Sequence, residues 1–152
     1  MTIKEVQPDN GVVEMLIAMS EDWEREASCH GYRKNAAEDI EGNRVFLAAH
    51  GDDGGDVKVI GYLFGHIERA EQTNSIYKKG TACFELEELY VRPEYRSRGI
   101  GSELFRCAEN AVKGQAEMIT LSTATKNFRA ILHFYIDEAG MEFWNARLFK
   151  RL

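Results

Sequence analysis

The sequence predicts one α/β domain built on a mixed, mostly antiparallel sheet of about seven strands, with helices on both faces. Strand and helix patterns alternate along the second half of the chain, a hairpin pattern precedes them, and no linker or repeat divides the 152 residues. A chain of this length that is 44% hydrophobic can bury one core, so residues 1–152 are expected to form a single domain.

Turn residues and hydrophobic periodicity predict the individual elements. The first half predicts a strand, two helices and a hairpin, at residues 2–6, 12–27, 36–40, 44–50 and 57–67. The second half predicts two strand–helix units and a final hairpin, at residues 82–91, 100–113, 118–123, 127–139 and 141–152. The turn GDDGGD at 51–56 contains three aspartates, but the residues after it supply no further oxygen ligands. A hairpin turn is therefore preferred to a calcium loop.

The composition argues against several classes of function. The net charge is −6, and an acidic surface repels phosphates, so no nucleic-acid partner is expected. No stretch is apolar over the 18 residues that a membrane span needs, and the N-terminus lacks the pattern of a signal peptide. We therefore expect no membrane partner and a cytoplasmic location. Three widely spaced cysteines and four histidines without ligand spacing predict neither a disulfide framework nor a metal site.

The strand at 82–91, the fourth in the chain, changes its inward-facing positions partway along. Its apolar residues occupy even positions first (82, 84 and 86) and odd positions afterwards (89 and 91). Because side chains alternate between the faces of a strand, one extra residue near Glu87 and Glu88 explains the change as a β-bulge. Such a bulge opens a cleft and leaves backbone N–H groups free to bind a ligand carbonyl. The alternative is that the later residues only meet a differently buried environment.

The next segment, RPEYRSRGIGS at 92–102, predicts a phosphate-binding site. It lacks the Gly-Lys-Ser/Thr of a P-loop and the third glycine of the dinucleotide fingerprint. Gly99 and Gly101 have no Cβ, so an anion can approach the start of the following helix, where free N–H groups and the helix dipole favour it. Arg96 and Arg98 add positive charge. A pyrophosphate site explains both glycines and arginines, whereas tight packing explains only the glycines.

These residues resemble motif A of the GNAT superfamily of N-acetyltransferases. That motif is a bulged strand ending in apolar-x-Val-x-Pro, followed by Arg/Gln-x-x-Gly-x-Gly/Ala at a helix start. The matching residues are Leu89, Val91, Pro93, Arg96, Gly99 and Gly101. Residues 127–141 resemble the family's next conserved region, and the order of elements fits along nearly the whole chain. The resemblance implies an enzyme that transfers an acetyl group from acetyl-coenzyme A (acetyl-CoA), its cosubstrate, to an amine, without a metal.

The resemblance also implies which residues bind acetyl-CoA. The backbone of residues 89–91 is expected to meet the thioester carbonyl and the pantetheine arm, and residues 96–101 are expected to hold the pyrophosphate. Asn127 is expected near the arm. The full set is Leu89, Tyr90, Val91, Arg96, Ser97, Arg98, Gly99, Ile100, Gly101 and Asn127.

Tyr135 is the residue that the resemblance implies as general acid for the leaving thiolate. It also belongs to an apolar helical stripe, so a core tyrosine bonded to a backbone carbonyl is the alternative. In the usual family pattern the tyrosine follows the asparagine by seven residues and precedes a glycine by four. Here Asn127, Tyr135 and Gly140 are spaced by eight and five. One helical residue is a rotation of about 100°, so Asn127 and Tyr135 are not expected to share the usual orientation.

The base and the acceptor are predicted from charge. An attacking amine must lose a proton, and Glu87 and Glu88 are the predicted bases, with Glu85 a third carboxylate on the same strand. Seven acids lie between residues 21 and 41, in the region where this family builds its acceptor site. They favour a small cationic amine, unless they only cover a solvated helix face. Acetylation of a protein lysine or N-terminus, a non-catalytic acyl-CoA sensor and a homodimer stay open.

Overall fold

The elements of the computed structural model follow the predicted order, over the described residues 1–51 and 55–152. The strands are β1 (Thr2–Val6), β2 (Arg44–Gly51), β3 (Val57–Arg69), β4 (Ala82–Val91) and β5 (Met118–Thr120). The helices are α1 (Asn10–Glu26), α2 (Ala37–Ile40), α3 (Ile100–Val112) and α4 (Phe128–Leu132). A 3-10 turn, Pro93–Tyr95, follows β4, and a π-helical segment, His133–Glu138, follows α4.

The strands form one mixed sheet in the order β1-β2-β3-β4-β5. Strands β1 to β4 pair antiparallel with their successive neighbours, and β5 pairs parallel with β4. The mixed, mostly antiparallel sheet is therefore confirmed. The first hairpin is confirmed too, since β2 and β3 pair up to Gly51 and Val57. The central residues of its predicted turn, 52–54, lie outside the described residues.

Helices cover both faces of the sheet, as predicted. Helices α1 and α2 bury Val13, Leu16, Met19 and Ile40 against one face. Helix α3 buries Ile100, Leu104, Phe105, Ala108 and Val112 against the other. Strand β2 contributes alternate residues to the two cores, because successive side chains of a strand point to opposite faces. No helix among residues 1–51 and 55–152 is long and apolar enough to cross a membrane.

Helix α1 has well-defined ends, and these fix the loop that follows it. Asp9 accepts a hydrogen bond from the backbone N–H of Val12 (2.9 Å) and so caps the first turn. The helix ends at Ala27, which adopts a left-handed conformation with φ of 51°. The chain then crosses the sheet face as a loop, residues 28–36, before α2 begins.

The prediction of about seven strands is wrong, because residues 141–152 form no strand in the described structure. The predicted final hairpin is instead an extended, largely exposed segment, in which Leu148 is 95% exposed. A strand is stabilised by the neighbour that pairs with its backbone. The last strand of the sheet on that side, β5, has only three residues. The backbone N–H of Met141 donates to the carbonyl of Tyr135 (2.9 Å), and ring contacts join Trp144 to Tyr77 and Phe149 to His30.

The predicted helix at 127–139 changes its winding at residue 133. An α-helical turn ends at Leu132, and a π-helix continues to Glu138. In the π-helix the backbone N–H of Ala139 donates to the carbonyl of Phe134, five residues earlier (2.9 Å). A π-helix accommodates extra residues without ending the helix. The winding is thus a physical explanation for the unusual spacing of Asn127, Tyr135 and Gly140.

We predict that Gly65→Ala destabilises the fold by about 3 kcal/mol or more, since overpacking costs of this order are typical of close backbone contacts. A Cβ on Gly65 would overlap the carbonyl oxygen of Glu85 and lie 2.8 Å from the ring of Phe84. The control is Gly11→Ala in α1, where the nearest atom, Asp9 Oδ1, would be 3.5 Å away. That change should leave stability unchanged or raise it by up to about 1 kcal/mol. Urea unfolding measures both; equal stabilities would contradict the packing described.

Candidate active site

Strands β4 and β5 pair over only a short stretch. The two strands pair only through Cys83, Phe84 and Glu85 of β4. Beyond Glu85, none of the described residues pairs as a strand with that edge of β4. In the same region β4 contains one extra residue: Phe64 pairs with Glu88 and Gly65 with Leu86, so Glu87 has no partner in β3. The predicted bulge is therefore confirmed at Glu87.

The bulge changes which residues of β4 face each helix layer. Phe84 and Leu86 lie in the core beneath α3, and after the bulge Leu89 and Val91 lie there. Tyr90 lies in the opposite core, beneath α1 and α2. Because side chains alternate, Glu88 shares the face of Tyr90. One extra residue thus directs a carboxylate of β4 toward the loop between α1 and α2.

Three side chains donate hydrogen bonds to the partly buried carboxylate of Glu88. The Tyr62 hydroxyl lies 2.8 Å and the Asn35 amide nitrogen 2.9 Å from Oε2, and the Tyr32 hydroxyl lies 3.1 Å from Oε1. Burial raises the pKa of Glu88, and the three hydrogen bonds oppose this effect because they stabilise the ionised form. The carboxylate is therefore held in place and largely shielded from water. Oε2 accepts more of these hydrogen bonds than Oε1, so Oε1 can still accept a hydrogen bond from a ligand.

The other two carboxylates of β4 occupy different surroundings. Glu87 is about half exposed and lies 3.6 Å from the imidazole Nδ1 of His66. Glu85 accepts a hydrogen bond from the hydroxyl of Thr120 on β5, and burial raises its pKa. Of the two predicted bases, Glu87 therefore lies at the rim and Glu88 is enclosed.

Glu87 and Glu88 line a cleft of about 840 Å³ on this face. Segments 33–35 and 39–43 form its outer wall, and Phe64, His66 and Ile67 of β3 line its floor. Four carboxylates line it, Asp39, Glu41, Glu87 and Glu88, together with the cationic Arg33 and Lys34. No group of three His, Cys, Asp or Glu in the described part of the chain could hold a metal ion.

Most of the seven acidic side chains between residues 21 and 41 bind other groups of the protein rather than lining the cleft. Only Asp39 and Glu41 line the cleft. The acids of α1 bind other groups: Glu21 and Asp22 bind Arg25, Glu24 accepts from the backbone of residue 34, and Glu26 binds Arg96. Fewer carboxylates of this segment line the cleft than its composition indicates. Strand β4 supplies the other half of the carboxylates there, Glu87 and Glu88.

The predicted phosphate loop has a backbone open to solvent at the start of α3. Ser97 and Gly99 adopt left-handed conformations with φ of 59° and 78°. The first intrahelical bond runs from Glu103 N to Gly99 O (3.0 Å), so the N–H groups of residues 100–102 have no partner within the helix. No atom lies within 4 Å of the position that a Cβ on Gly99 would take. An anion can therefore approach these donors, and a pyrophosphate fits the loop.

Arg96 is already bound within the protein. Its Nε donates to the carbonyl of Val91 (2.8 Å), its Nη2 lies 2.9 Å from the carboxylate of Glu26, and its guanidinium lies over the ring of Tyr90. The hydroxyl of Tyr90 also donates to Glu26 (2.9 Å). These contacts fasten the loop to the ends of β4 and α1. Arg98, by contrast, lies 5.6 Å from the ring of Tyr95, its one contact within the described part of the chain.

Tyr135 and Asn127 lie at different depths. Asn127 is exposed and directly precedes α4. The ring of Tyr135 packs edge-on against Phe105 and Phe134, and burial raises its pKa to about 12. Within the described residues its hydroxyl has no hydrogen-bond partner. The backbone-bonded core tyrosine considered from sequence is therefore not observed.

Phe134 occupies the position seven residues after Asn127, where the family pattern has its tyrosine. Its ring would lie 3.5 Å from a Cβ on Gly101, beside Leu89 of β4. Phe134 therefore covers the junction of the predicted phosphate loop and the bulged strand. In the sequence Phe134 was only part of the region that resembles the family's conserved segment, with no site role predicted, although the seven-residue spacing could have indicated one.

The residues around Glu88 were also missed. Tyr32, Asn35 and Tyr62 lie 56, 53 and 26 residues away in the chain. No local motif connects them to β4, and only the tertiary fold brings them to one carboxylate. Glu26, which binds both Tyr90 and Arg96, was counted only as part of the acidic segment.

Comparison with known proteins agrees with this geometry. Residues 11–141 match the model of the acetyltransferase (GNAT) family. The chain belongs to this GNAT family. Its members use acetyl-CoA as the acetyl donor. No curated protein sequence matches the chain significantly.

Solved structures show the same GNAT fold at low sequence identity. A transcriptional regulator from Bacillus halodurans has 22% identity and a TM-score of 0.68, with 99% of each chain covered. An aminoglycoside acetyltransferase from an uncultured soil metagenomic sample, in complex with sisomicin, has 15% identity and a TM-score of 0.64, with 99% of this chain and 95% of that chain covered. The aminoglycoside N-acetyltransferase AAC(6')-Iy in complex with CoA has 18% identity and a TM-score of 0.62, with 99% and 98% covered.

We predict that Glu26→Gln and Arg96→Gln each weaken acetyl-CoA binding about fivefold, the effect of losing roughly 1 kcal/mol. The reason is that the ion pair between Glu26 and Arg96 holds the loop whose backbone N–H groups are predicted to bind the phosphates of acetyl-CoA. The double variant should lose little more than either single variant, because both remove the same contact. Calorimetric titration measures the affinities, and Gly101→Glu, which puts a carboxylate at the start of α3, provides the reference for full loss.

A different result would identify Arg96 as a direct phosphate ligand. In that case Glu26→Gln would free the guanidinium and leave affinity unchanged or higher. Of the two single variants, only Arg96→Gln would then weaken acetyl-CoA binding. The double variant would bind acetyl-CoA as weakly as Arg96→Gln.

Proposed function

We propose that this protein transfers the acetyl group of acetyl-CoA to the primary amine of a small cationic molecule by direct attack. The observation that carries the proposal is the bulge at Glu87. It lies where β4 leaves β5, next to the open backbone of the phosphate loop. It also directs Glu88 into a cleft on the opposite side of the strand.

The donor would bind on the α3 side of β4, and the acceptor in the cleft on the other side. Leu89, Tyr90 and Val91 pair with β3 along one edge, and their other edge has no β5 partner. The backbone groups on that second edge are proposed to bind the pantetheine arm and polarise the thioester carbonyl. The N–H groups of residues 97–101 are proposed to bind the pyrophosphate, with Arg98 adding charge. Asn127 is proposed to contact the arm, since it is exposed at the start of α4.

Glu88 is proposed as the base. In the reaction the amine nitrogen forms a bond to the acetyl carbon, the C–S bond breaks, the amine loses a proton and the thiolate gains one. Oε1 of Glu88 has one hydrogen-bond donor, Tyr32, and therefore has acceptor capacity for the amine proton. Burial raises the pKa of Glu88 and so brings its basicity closer to that of the amine. Glu87, at the rim, would attract the incoming ammonium group.

Tyr135 is proposed as the acid that protonates the thiolate. Its hydroxyl has no partner within the described residues, so it is free to donate to a bound group. A pKa of about 12 keeps the hydroxyl protonated at neutral pH. Its place beside Phe134, whose ring lies near Gly101 and Leu89, puts it in the layer that the donor would occupy.

The four carboxylates that line the cleft support a cationic acceptor. They exceed the cationic side chains there, which are Arg33 and Lys34. A protonated amine is attracted to such a surface, and its electrostatic attraction weakens as salt increases. Two of the structures similar in fold are those of aminoglycoside acetyltransferases.

We predict that kcat, at saturating acceptor, falls as pH is lowered through a pKa above the ordinary carboxyl range. The direction follows from the raised pKa of Glu88, because only its ionised form accepts a proton. Glu88→Gln should lower kcat about 10²-fold and abolish this acidic limb. Glu87→Gln should keep the limb, since Glu87 is half exposed. A pH profile unchanged in Glu88→Gln would exclude Glu88 as the base.

We predict that Tyr135→Phe lowers kcat about 10²-fold, the range for loss of a general acid, with little change in acetyl-CoA affinity. The substitution keeps the ring contacts with Phe105 and Phe134 and removes only the hydroxyl. Phe134→Leu serves as a comparison that disturbs packing without removing a proton donor. Turnover of Tyr135→Phe near that of the wild type would mean that Tyr135 has a packing role only.

A further inference from the structure

Arg33 is a cationic side chain at the rim of the cleft that binds no group of the protein. It is exposed and lines the cleft together with Asn35 and Glu88. Within residues 1–51 and 55–152 its guanidinium makes no hydrogen bond, ion pair or ring contact. Its guanidinium donors are therefore available to a ligand in a cleft that is also lined by the proposed base.

The free state of Arg33 contrasts with the other arginines on this side of the molecule. Arg25 and Arg92 bind Asp22, and Arg96 binds Glu26. Four carboxylates line the same cleft as Arg33, yet none of them forms an ion pair with it. The protein therefore does not use Arg33 to neutralise its own acids.

The segment that carries Arg33 is fixed relative to Glu88. The backbone N–H of Lys34 donates to Glu24 (2.7 Å), and that of Asn35 donates to the hydroxyl of Ser20 (2.9 Å). The Asn35 amide in turn donates to Glu88 (2.9 Å). The backbone directly after Arg33 is therefore anchored to α1, and the side chain two residues after Arg33 is bonded to the proposed base. An anchored backbone lowers the entropy cost of binding a ligand at its side chain.

From this arrangement we infer that the acceptor carries a carboxylate in addition to its amine, and that it is a small diamino acid. The inference rests on the proposed function. The carboxylate would bind the guanidinium of Arg33 through two parallel hydrogen bonds, the geometry that arginine favours. One ammonium group would lie at Glu88, and the second would be attracted by Asp39, Glu41 and Glu87. Two ammonium groups and one carboxylate match a cleft with more acids than bases.

The reacting amine is the one at Glu88. The ammonium group first gives one proton to Glu88 and becomes a neutral amine, whose nitrogen forms the new bond to the acetyl carbon as the C–S bond breaks. The thiolate takes a proton from Tyr135, and the second proton of the nitrogen replaces the one that Tyr135 has given up. The carboxylate of the acceptor takes no part in this exchange. Its binding to Arg33 would set the position of the amine and so affect the KM of the acceptor more than kcat.

A matched pair of acceptors tests the inference. L-Lysine and cadaverine have the same five-carbon diamine chain, and only lysine has the carboxylate. We expect kcat/KM to be at least about tenfold higher for lysine, the value of one good charged hydrogen-bonded pair. Arg33→Gln should remove this preference by raising the KM for lysine, with the values for cadaverine unchanged. Arg25→Gln, a surface arginine of α1 paired with Glu21 and Asp22, is the control and should keep the preference.

Other outcomes overturn the inference. Equal or better turnover of cadaverine by the wild type would do so, as would an equal effect of Arg33→Gln on both acceptors. If neither is acetylated while a polyamine or an aminoglycoside is, the diamino acid is excluded and the proposed function stands. If no amine is acetylated although acetyl-CoA binds, the proposed function itself fails.

Discussion

The single extra residue in β4 is the constraint on which the rest of the site depends. If Glu87 were paired as an ordinary strand residue, without a bulge, Glu88 would share the face of Leu86 and point into the core beneath α3, where a carboxylate would be costly to bury. With the bulge, apolar residues continue to fill that core and Glu88 turns to the opposite face. Pairing with β5 ends at Glu85, directly before the bulge. One local irregularity therefore provides both the unpaired backbone for a donor and the carboxylate for an acceptor.

The residues proposed to bind the two substrates lie on the two faces of the sheet. The phosphate loop and the ring of Phe134 lie on the side of α3, whereas Glu88 and the cleft lie beside α1 and α2. The Glu26–Arg96 pair connects the sides, since it joins the end of α1 to the loop. Burial of Glu88 costs desolvation energy, and hydrogen bonds from Tyr32, Asn35 and Tyr62 offset part of it. The same hydrogen bonds hold Glu88 in place, so the stability of its ionised form and its proposed role as the base depend on the same three side chains.

Features with a local signal were predictable from the sequence. The parity of apolar residues in β4 indicated the bulge, and Gly99 and Gly101 marked the open start of α3. Features that depend on distant contacts were not. The partners of Glu88 lie up to 56 residues away. Residues 141–152 have a strand-like pattern, but a pattern cannot supply the neighbouring strand that would make them pair. The π-helix appeared in the sequence only as one-residue departures in spacing around Tyr135.

The central claim is that the cleft beside the bulge brings acetyl-CoA and an amine together for direct transfer. The most direct measurement is mass spectrometry of small primary amines, with neutral and anionic amines for comparison, after incubation with the protein and acetyl-CoA. The account predicts that at least one cationic amine gains one acetyl group, with release of an equal amount of CoA. Binding of acetyl-CoA without acetylation of any amine would contradict it and would favour a sensor over an enzyme.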